Sequence, residues 1–149
     1  PAPVGVLNRS EFITKTLLRM IHHIQQNAEF VRSVARDQLH RNVDFDRAAV
    51  VWLDGYLTRQ HEQGSPDDIE GLVSTLGSFF GECIVHTYGG EWLQDEDGWS
   101  VVFDEKNAAY PFAKVEKHLR NGVVDSVLSM FGAIPVVINS VSRQPGNDM

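Results

Sequence analysis

The chain is poor in the residues that would cross-link it or embed it in a membrane. Cys83 is its one cysteine among 149 residues, so an internal disulfide is impossible and a reducing compartment is the natural expectation. No run approaches the roughly 20 apolar residues of a membrane-spanning helix. The first residues lack the basic and apolar regions of a signal peptide. We therefore expect a cytoplasmic protein that has no membrane partner.

Basic residues are almost missing from the middle of the chain. Residues 54–105 contain twelve Asp or Glu and one base, Arg59, which gives a net charge of −11. Residues 1–53 (seven bases, five acids) and 106–149 (five bases, three acids) are each net +2, and the three parts sum to −7. A field of one sign on part of a small domain repels some partners and recruits others. Nucleic acid is disfavoured as a partner, because the acids would repel its phosphates.

Apolar residues recur at helical spacing through most of the chain. Ser10, Asp44 and Ser65 are the predicted N-caps, with Pro66 at the first helical position after Ser65. Asn27 and Pro135 are predicted to end helices. The predicted helices cover about residues 10–26, 30–39, 45–61, 66–87, 111–120 and 124–134.

The helix over 66–87 has the longest and most regular apolar stripe, so it is predicted to be the core element. Gly77 and Gly81 lie four residues apart on its shoulder. Each glycine costs a helix roughly 1 kcal/mol relative to alanine. Close approach of another backbone is the expected compensation.

After Gly90 the spacing changes to that of strands. Glu91–Gln94 and Trp99–Phe103 are predicted to form a hairpin through the Asp95–Gly98 turn, because Asp-Gly suits a tight turn. The predicted short strands are Ala108–Tyr110 and, at an edge, Val136–Ile138. The class is thus α+β, with N-terminal helices and a long central helix packed against a short antiparallel hairpin or meander and two C-terminal helices. We expect one domain over 10–138, a flexible lead-in over 1–9 and a flexible tail over 139–149.

Several motifs in order resemble a group of small bacterial proteins. They are Leu76–Cys83, Tyr88–Trp92, Tyr110–Val115 and Asn121–Ser126, and the resemblance covers roughly residues 44–133. Some members of such groups are encoded beside toxin genes and are regarded as immunity proteins. The motifs are glycines, an aromatic hairpin and a helix start, so the resemblance implies a fold and a bacterial origin and assigns no catalytic residue.

No catalytic or metal-binding signature is present in the sequence. Glu82 and His86, four apart on the central helix, are the one candidate acid/base pair. A salt bridge on the flank of the helix, or a glutamate that holds the hairpin, is the favoured interpretation. Cys83 falls on the buried face and is expected to be an inert core thiol. The six histidines lack the spacing of zinc sites, and no cofactor motif occurs.

The sequence favours a protein-binding role over an enzymatic one. The leading hypothesis is an immunity or antitoxin-like inhibitor that presents an acidic face to a basic partner such as a toxin. One of the two hairpin tryptophans is expected to point inward and the other at least partly outward.

A small hydrolase or transferase that uses Glu82 and His86 is the first alternative, and substitution of this pair discriminates an enzyme from a binding protein. An oligomeric scaffold built on the N-terminal helices is the second, so both a monomer and a homodimer stay open. The predicted partner-binding residues are Glu91, Trp92, Asp95, Glu96, Asp97, Trp99, Asp104 and Glu105.

Overall fold

The computed structural model describes residues 5–64 and 67–142, with side chains as far as Asn139. It contains five helices and a three-stranded antiparallel sheet of order β1-β2-β3. The predicted α+β class, helices with a small hairpin sheet, is confirmed. The elements are α1 (Arg9–Leu39), α2 (Arg47–Glu62), α3 (Ile69–Tyr88), β1 (Glu91–Asp95), β2 (Gly98–Val102), β3 (Ala108–Ala109), α4 (Pro111–Asn121), a 3₁₀ turn (Gly122–Asp125) and α5 (Val127–Ser142).

The central helix α3 is the core element. Every residue from Leu76 to Ile84 is buried, because α1 and α4 pack against α3 and α2 and α5 also contact it. Phe79 and Phe80 are its largest fully buried side chains. A helix that is buried on all sides has no need of a polar face, which explains why Glu82 is the one charged residue in this run.

The two predicted N-terminal helices are one helix. Asn27 does not interrupt α1, which runs for 31 residues from Arg9 to Leu39. The buried residues of α1 (Ile24, Ala28, Val31 and Ala35) keep helical spacing on both sides of Asn27. One asparagine costs a helix at most about 0.7 kcal/mol, which is less than the burial of a single large side chain of this stripe contributes.

The helix caps lie a few residues away from the predicted ones. Asn8 caps α1 instead of Ser10, and Asp46 caps α2 instead of Asp44. Each cap accepts a hydrogen bond from the backbone N–H three residues later, from Glu11 and from Ala49. The predicted cap Ser65 and Pro66 lie outside the described residues. Helix α3 begins at Ile69, where Asp68 accepts from the N–H of Gly71 at 2.9 Å.

Helix α5 continues through Pro135, so the predicted helix end and the predicted strand Val136–Ile138 are both wrong. Proline lacks an N–H, which leaves the carbonyl four residues earlier without its helical donor. That carbonyl belongs to Phe131, and the hydroxyl of Tyr88 donates to it at 2.9 Å. The tertiary contact replaces the missing bond. The predicted domain end at residue 138 therefore falls inside α5.

Helices α4 and α5 meet at a sharp bend. The direction of Pro111–Asp125 changes by 93° into Val127–Asn139. No single helix among the described residues has the length and apolarity for a membrane span. The bent pair has them only when its two parts are counted together. Val124, the first residue of the helix predicted over 124–134, lies at the bend and is 82% exposed. At the bend the start of α5 meets α2.

Gly77 and Gly81 do permit close approach to α3. An added Cβ at Gly81 would lie 2.0 Å from the ring of Trp92, and one at Gly77 would lie 2.4 Å from the ring of Phe112. The Cα of Phe112 would be 3.0 Å from the Cβ at Gly77. The neighbours are thus mainly aromatic rings, where the sequence had suggested a backbone. These two glycines seat the hairpin and the start of α4 on α3.

Candidate functional site

The hairpin β1–β2 buries Trp92 of β1 and both Ser100 and Val101 of β2, whereas the other side chains of β1 are exposed. Trp92 pairs with Val101 and both are buried against the helices. The indole N–H of Trp92 donates to Glu82 Oε2 at 3.0 Å. Because successive side chains of a strand point to opposite faces, Glu91, Leu93 and Asp95 lie on the face of β1 opposite to Trp92, and all three side chains are exposed.

The tip of the hairpin is a two-residue loop of acids. Asp95 pairs with Gly98, which leaves Glu96 and Asp97 as the loop residues. Gly98 has a φ of 104°, a left-handed conformation that favours glycine. Asp95 Oδ1 accepts from the N–H of Asp97 at 2.8 Å, and its Oδ2 accepts from the hydroxyl of Tyr110 at 3.1 Å. The tip is therefore held in one shape by Asp95.

The eight predicted partner-binding residues fall into three groups. Glu91, Glu96, Asp97 and Glu105 are exposed, and within the described residues their side chains form no hydrogen bond or ion pair. Asp95 and Asp104 have structural tasks. Trp92 is buried, whereas Trp99, on the same face of the hairpin, is half-buried and lines a groove, so the outward tryptophan that was expected is seen only as partial exposure.

Asp104 organises the turn between β2 and β3. Its carboxylate accepts from the N–H groups of Lys106 and Asn107 and from the side-chain amide of Asn107. The bond from the Asn107 side chain, together with those from the backbone, lowers the pKa of Asp104. This residue stabilises the turn and is a weak candidate for partner contact.

A groove of about 690 Å³ opens beside the hairpin tip. One wall is α1, where Arg19, Met20 and His23 lie, and Trp99 and Phe112 belong to the opposite wall. The α3 side chains Val73 and Ser74 also line it. Three acids belong to the lining, namely Glu70, Asp97 and Glu116. An apolar lining with a few charged groups at its edge is typical of a binding surface.

Glu82 and His86 do not form a substrate-facing pair. Glu82 is buried and its Oε2 holds the Trp92 indole, while His86 Nε2 lies 3.6 Å from Glu82 Oε1. The exposed imidazole of His86 packs on the Phe45 ring, with 4.8 Å between centroids. The adjacent Cys83 is buried, and burial raises the pKa of its thiol. The geometry gives Glu82 the task of attaching the hairpin to α3.

This role predicts a difference between two substitutions of Glu82. Glu82→Leu leaves the buried Trp92 N–H without an acceptor and is expected to lower the free energy of unfolding by about 1–3 kcal/mol. Glu82→Gln keeps an oxygen at this position and is expected to cost less. Chemical denaturation of both variants, with the exposed Glu91→Leu as control, measures the difference. A Glu82→Leu protein as stable as Glu82→Gln would contradict the role.

A partly buried Ser-His-Asp combination, in which His118 is the fully buried member, lies at the start of α5 and was not predicted from the sequence. The N–H of Val127 donates to His118 Nδ1 at 3.2 Å, so Nε2 carries the ring hydrogen and donates to Thr58 Oγ1 at 2.8 Å. Asp54 accepts from the Ser126 hydroxyl and from the N–H of Leu128. With both ring nitrogens engaged and the serine bound to Asp54, the set is not arranged for nucleophilic catalysis.

The network instead satisfies the N terminus of α5. The first four N–H groups of a helix have no partner within it. Here they donate in turn to His118 Nδ1, Asp54 Oδ1, Ser126 Oγ and the Ser126 carbonyl. Ser126 lies inside the helix predicted over 124–134, so its role before the first turn of α5 was not predicted. The partners from α2 and α4 are distant in sequence.

Metal and family comparisons add no functional assignment. Within residues 5–64 and 67–142, no three His, Cys, Asp or Glu side chains are grouped as metal ligands. No family model matches the sequence, and no significant match was found to curated proteins or to solved structures. The resemblance to immunity proteins stays a prediction, and function has to be argued from the surfaces of the chain.

Proposed function

We propose that this chain is a protein-binding inhibitor of the immunity type, which captures a basic partner protein through the hairpin. The partner class that fits best is a toxin that acts on nucleic acid, because such proteins need basic surfaces for their substrate. A bacterial cytoplasm is the proposed setting, and the role needs no cofactor. The contact surface, called here the acidic hairpin face, consists of Glu91, Leu93, Asp95, Glu96, Asp97 and Glu105.

The proposal rests on one observation, namely that the two acids of the hairpin tip, Glu96 and Asp97, have no paired cation in the described part of the chain. Glu96 and Asp97 stand on a loop that Asp95 holds rigid, and no cation of the described residues pairs with either side chain. Like charges held together without counter-charges raise the energy of the isolated protein, and a basic partner would relieve that repulsion. A preformed loop also loses little entropy on binding.

An apolar side chain lies within this acidic surface. Leu93 is 51% exposed between Glu91 and Asp95 on the outer face of β1. A central apolar contact surrounded by charges is the usual anatomy of a protein interface. The contact residues predicted from the sequence include two tryptophans, Trp92 and Trp99, but not Leu93. No observation favours the alternative of a hydrolase, because Glu82 is buried and bonded to Trp92.

The test compares two variants of equal net charge. Glu96→Gln/Asp97→Asn neutralises the tip and leaves Asp95 to hold the loop. Asp37→Asn/Glu62→Gln removes two exposed acids from α1 and α2. Association rates with a partner isolated on the wild-type protein are measured at low salt and at about 0.5 M salt, where the Debye length is only a few ångströms.

We expect the tip variant to associate at least about tenfold more slowly at low salt, and this deficit to shrink at high salt. The control variant should associate like the wild type. Leu93→Ala should instead accelerate dissociation, as expected for an anchor. If the tip variant and the control variant associate equally fast at low salt, the acidic hairpin face is a solubilising surface and the proposal fails.

A further inference from the structure

The first part of α1 carries apolar side chains at helical spacing, but little of the chain packs against them. Ile13 and Leu17 continue the apolar stripe that includes Met20 and Ile24, at spacings of three and four residues. Ile24 is the first buried residue of the helix. Ile13 is 49% exposed and the neighbouring Phe12 62%. We call residues 6–18 the arm; its helical part, from Arg9, is about 15 Å long.

The arm is also basic at its surface. It contains Arg9 and Lys15, and its one acid, Glu11, accepts a hydrogen bond from the side chain of the cap residue Asn8. Val6, Leu7 and Leu18 add further exposed apolar side chains. An amphipathic basic helix with this much uncovered apolar surface is typical of a segment that docks into a groove.

The groove beside the hairpin tip has the complementary properties. Its walls carry Met20, Val73, Trp99 and Phe112, and its lining includes the acids Glu70, Asp97 and Glu116. It begins on α1 at Arg19, where the arm ends. The arm of one molecule cannot bend into its own groove, because α1 is continuous from Arg9 to Leu39. An arm could reach this groove only from a second copy of the chain.

We propose that two copies of this chain form a two-fold dimer in which each arm lies in the groove of the other copy. An isologous dimer uses both contacts at once, so each molecule covers its partner's apolar lining and has its own arm covered. Arg9 and Lys15 of one copy face the acids of the other, which fixes the direction of the arm. This inference does not rest on the proposed function, but the dimer contact and the acidic hairpin face both use Asp97, so they compete for this residue.

The first experiment measures the mass of the purified wild-type chain by sedimentation equilibrium over a range of concentrations. We expect a dimer. The arm variant Phe12→Asp/Ile13→Asp and the groove variant Ala113→Arg are each expected to raise the dissociation constant at least about tenfold. Phe12, Ile13 and Ala113 are exposed, so both variants should keep the fold. Val51→Asp, an equally drastic change at an exposed valine of α2, should remain dimeric.

Mixing the two variants separates this arrangement from any other dimer. The arm variant still has an intact groove, and the groove variant still has an intact arm. Their equimolar mixture should therefore form heterodimers with one working contact, at concentrations where each variant alone is monomeric. Recovery on mixing also shows that both variants are folded. A monomeric wild type, variants that remain dimeric, or a mixture without heterodimers would each overturn the proposal.

Discussion

Gly81→Val is expected to destabilise the fold by about 3 kcal/mol or more, at the upper end of the range for overpacking. The Cβ alone would lie 2.0 Å from Cη2 and 2.2 Å from Cζ2 of Trp92, and 3.1 Å from Pro111 Cγ. Trp92 cannot move aside without losing the bond from its indole to Glu82. The substitution therefore detaches the hairpin from α3. Chemical denaturation measures the loss.

The control is a glycine of another helix. Gly132 of α5 is exposed, and a Cβ there would meet only Arg47 Nη1 at 3.9 Å, an ordinary contact. Gly132→Ala is expected to stabilise the protein by about 0.5–1 kcal/mol through helix propensity. Opposite signs for the two glycines would confirm that contact with Trp92 decides the effect. A gain in stability for Gly81→Val would show that this side of α3 is not packed as described.

Most elements were predictable because their signals are local. The apolar stripe of α3, the Asp95–Gly98 turn and Pro111 at the start of α4 each determine structure within a few residues. Cap positions were less accurate, since Asp44 and Asp46 are both acceptable caps and tertiary packing selects between them. The boundary errors at Asn27 and Pro135 share a cause. Packing that is distant in sequence outweighs the local preference in both cases, through the buried stripe of α1 and through the hydroxyl of Tyr88.

The candidate surfaces were predictable only in part. The acids of the hairpin tip were identified from composition and turn chemistry. That a groove lies beside these acids could not be predicted, because the walls of the groove come from α1, α3, the hairpin and α4. The exposed Leu93 was not among the predicted contact residues, whereas Trp92 was, although its large ring is buried in the space that Gly81 leaves on α3. Sequence composition indicates which residues are able to form interface contacts, whereas only packing decides which of them are buried.

The stability of the protein is expected to fall as the pH drops below about 6.5, because His118 is neutral in the fold. Burial lowers the pKa of His118, and the nearby Lys114 and His61 act in the same direction, against Asp54 and Asp125. In the unfolded chain the imidazole binds a proton near pH 6.5. Between the two pKa values the unfolded state holds more protons, so this contribution is complete above pH 6.5 and is lost on acidification, at up to about 1.4 kcal/mol per pH unit.

Two substitutions of His118 test this account between pH 7.5 and 5.5. His118→Asn keeps an acceptor for the Val127 N–H but does not titrate, so the free energy of unfolding should depend less on pH than in the wild type. His22→Asn, at an exposed position of α1, should leave the wild-type slope unchanged. His118→Leu removes the partners of Val127 and Thr58 and should cost about 2–4 kcal/mol at pH 7.5. Equal slopes for His118→Asn and the wild type would show that the titration of His118 is not coupled to folding, whatever the cost of His118→Leu.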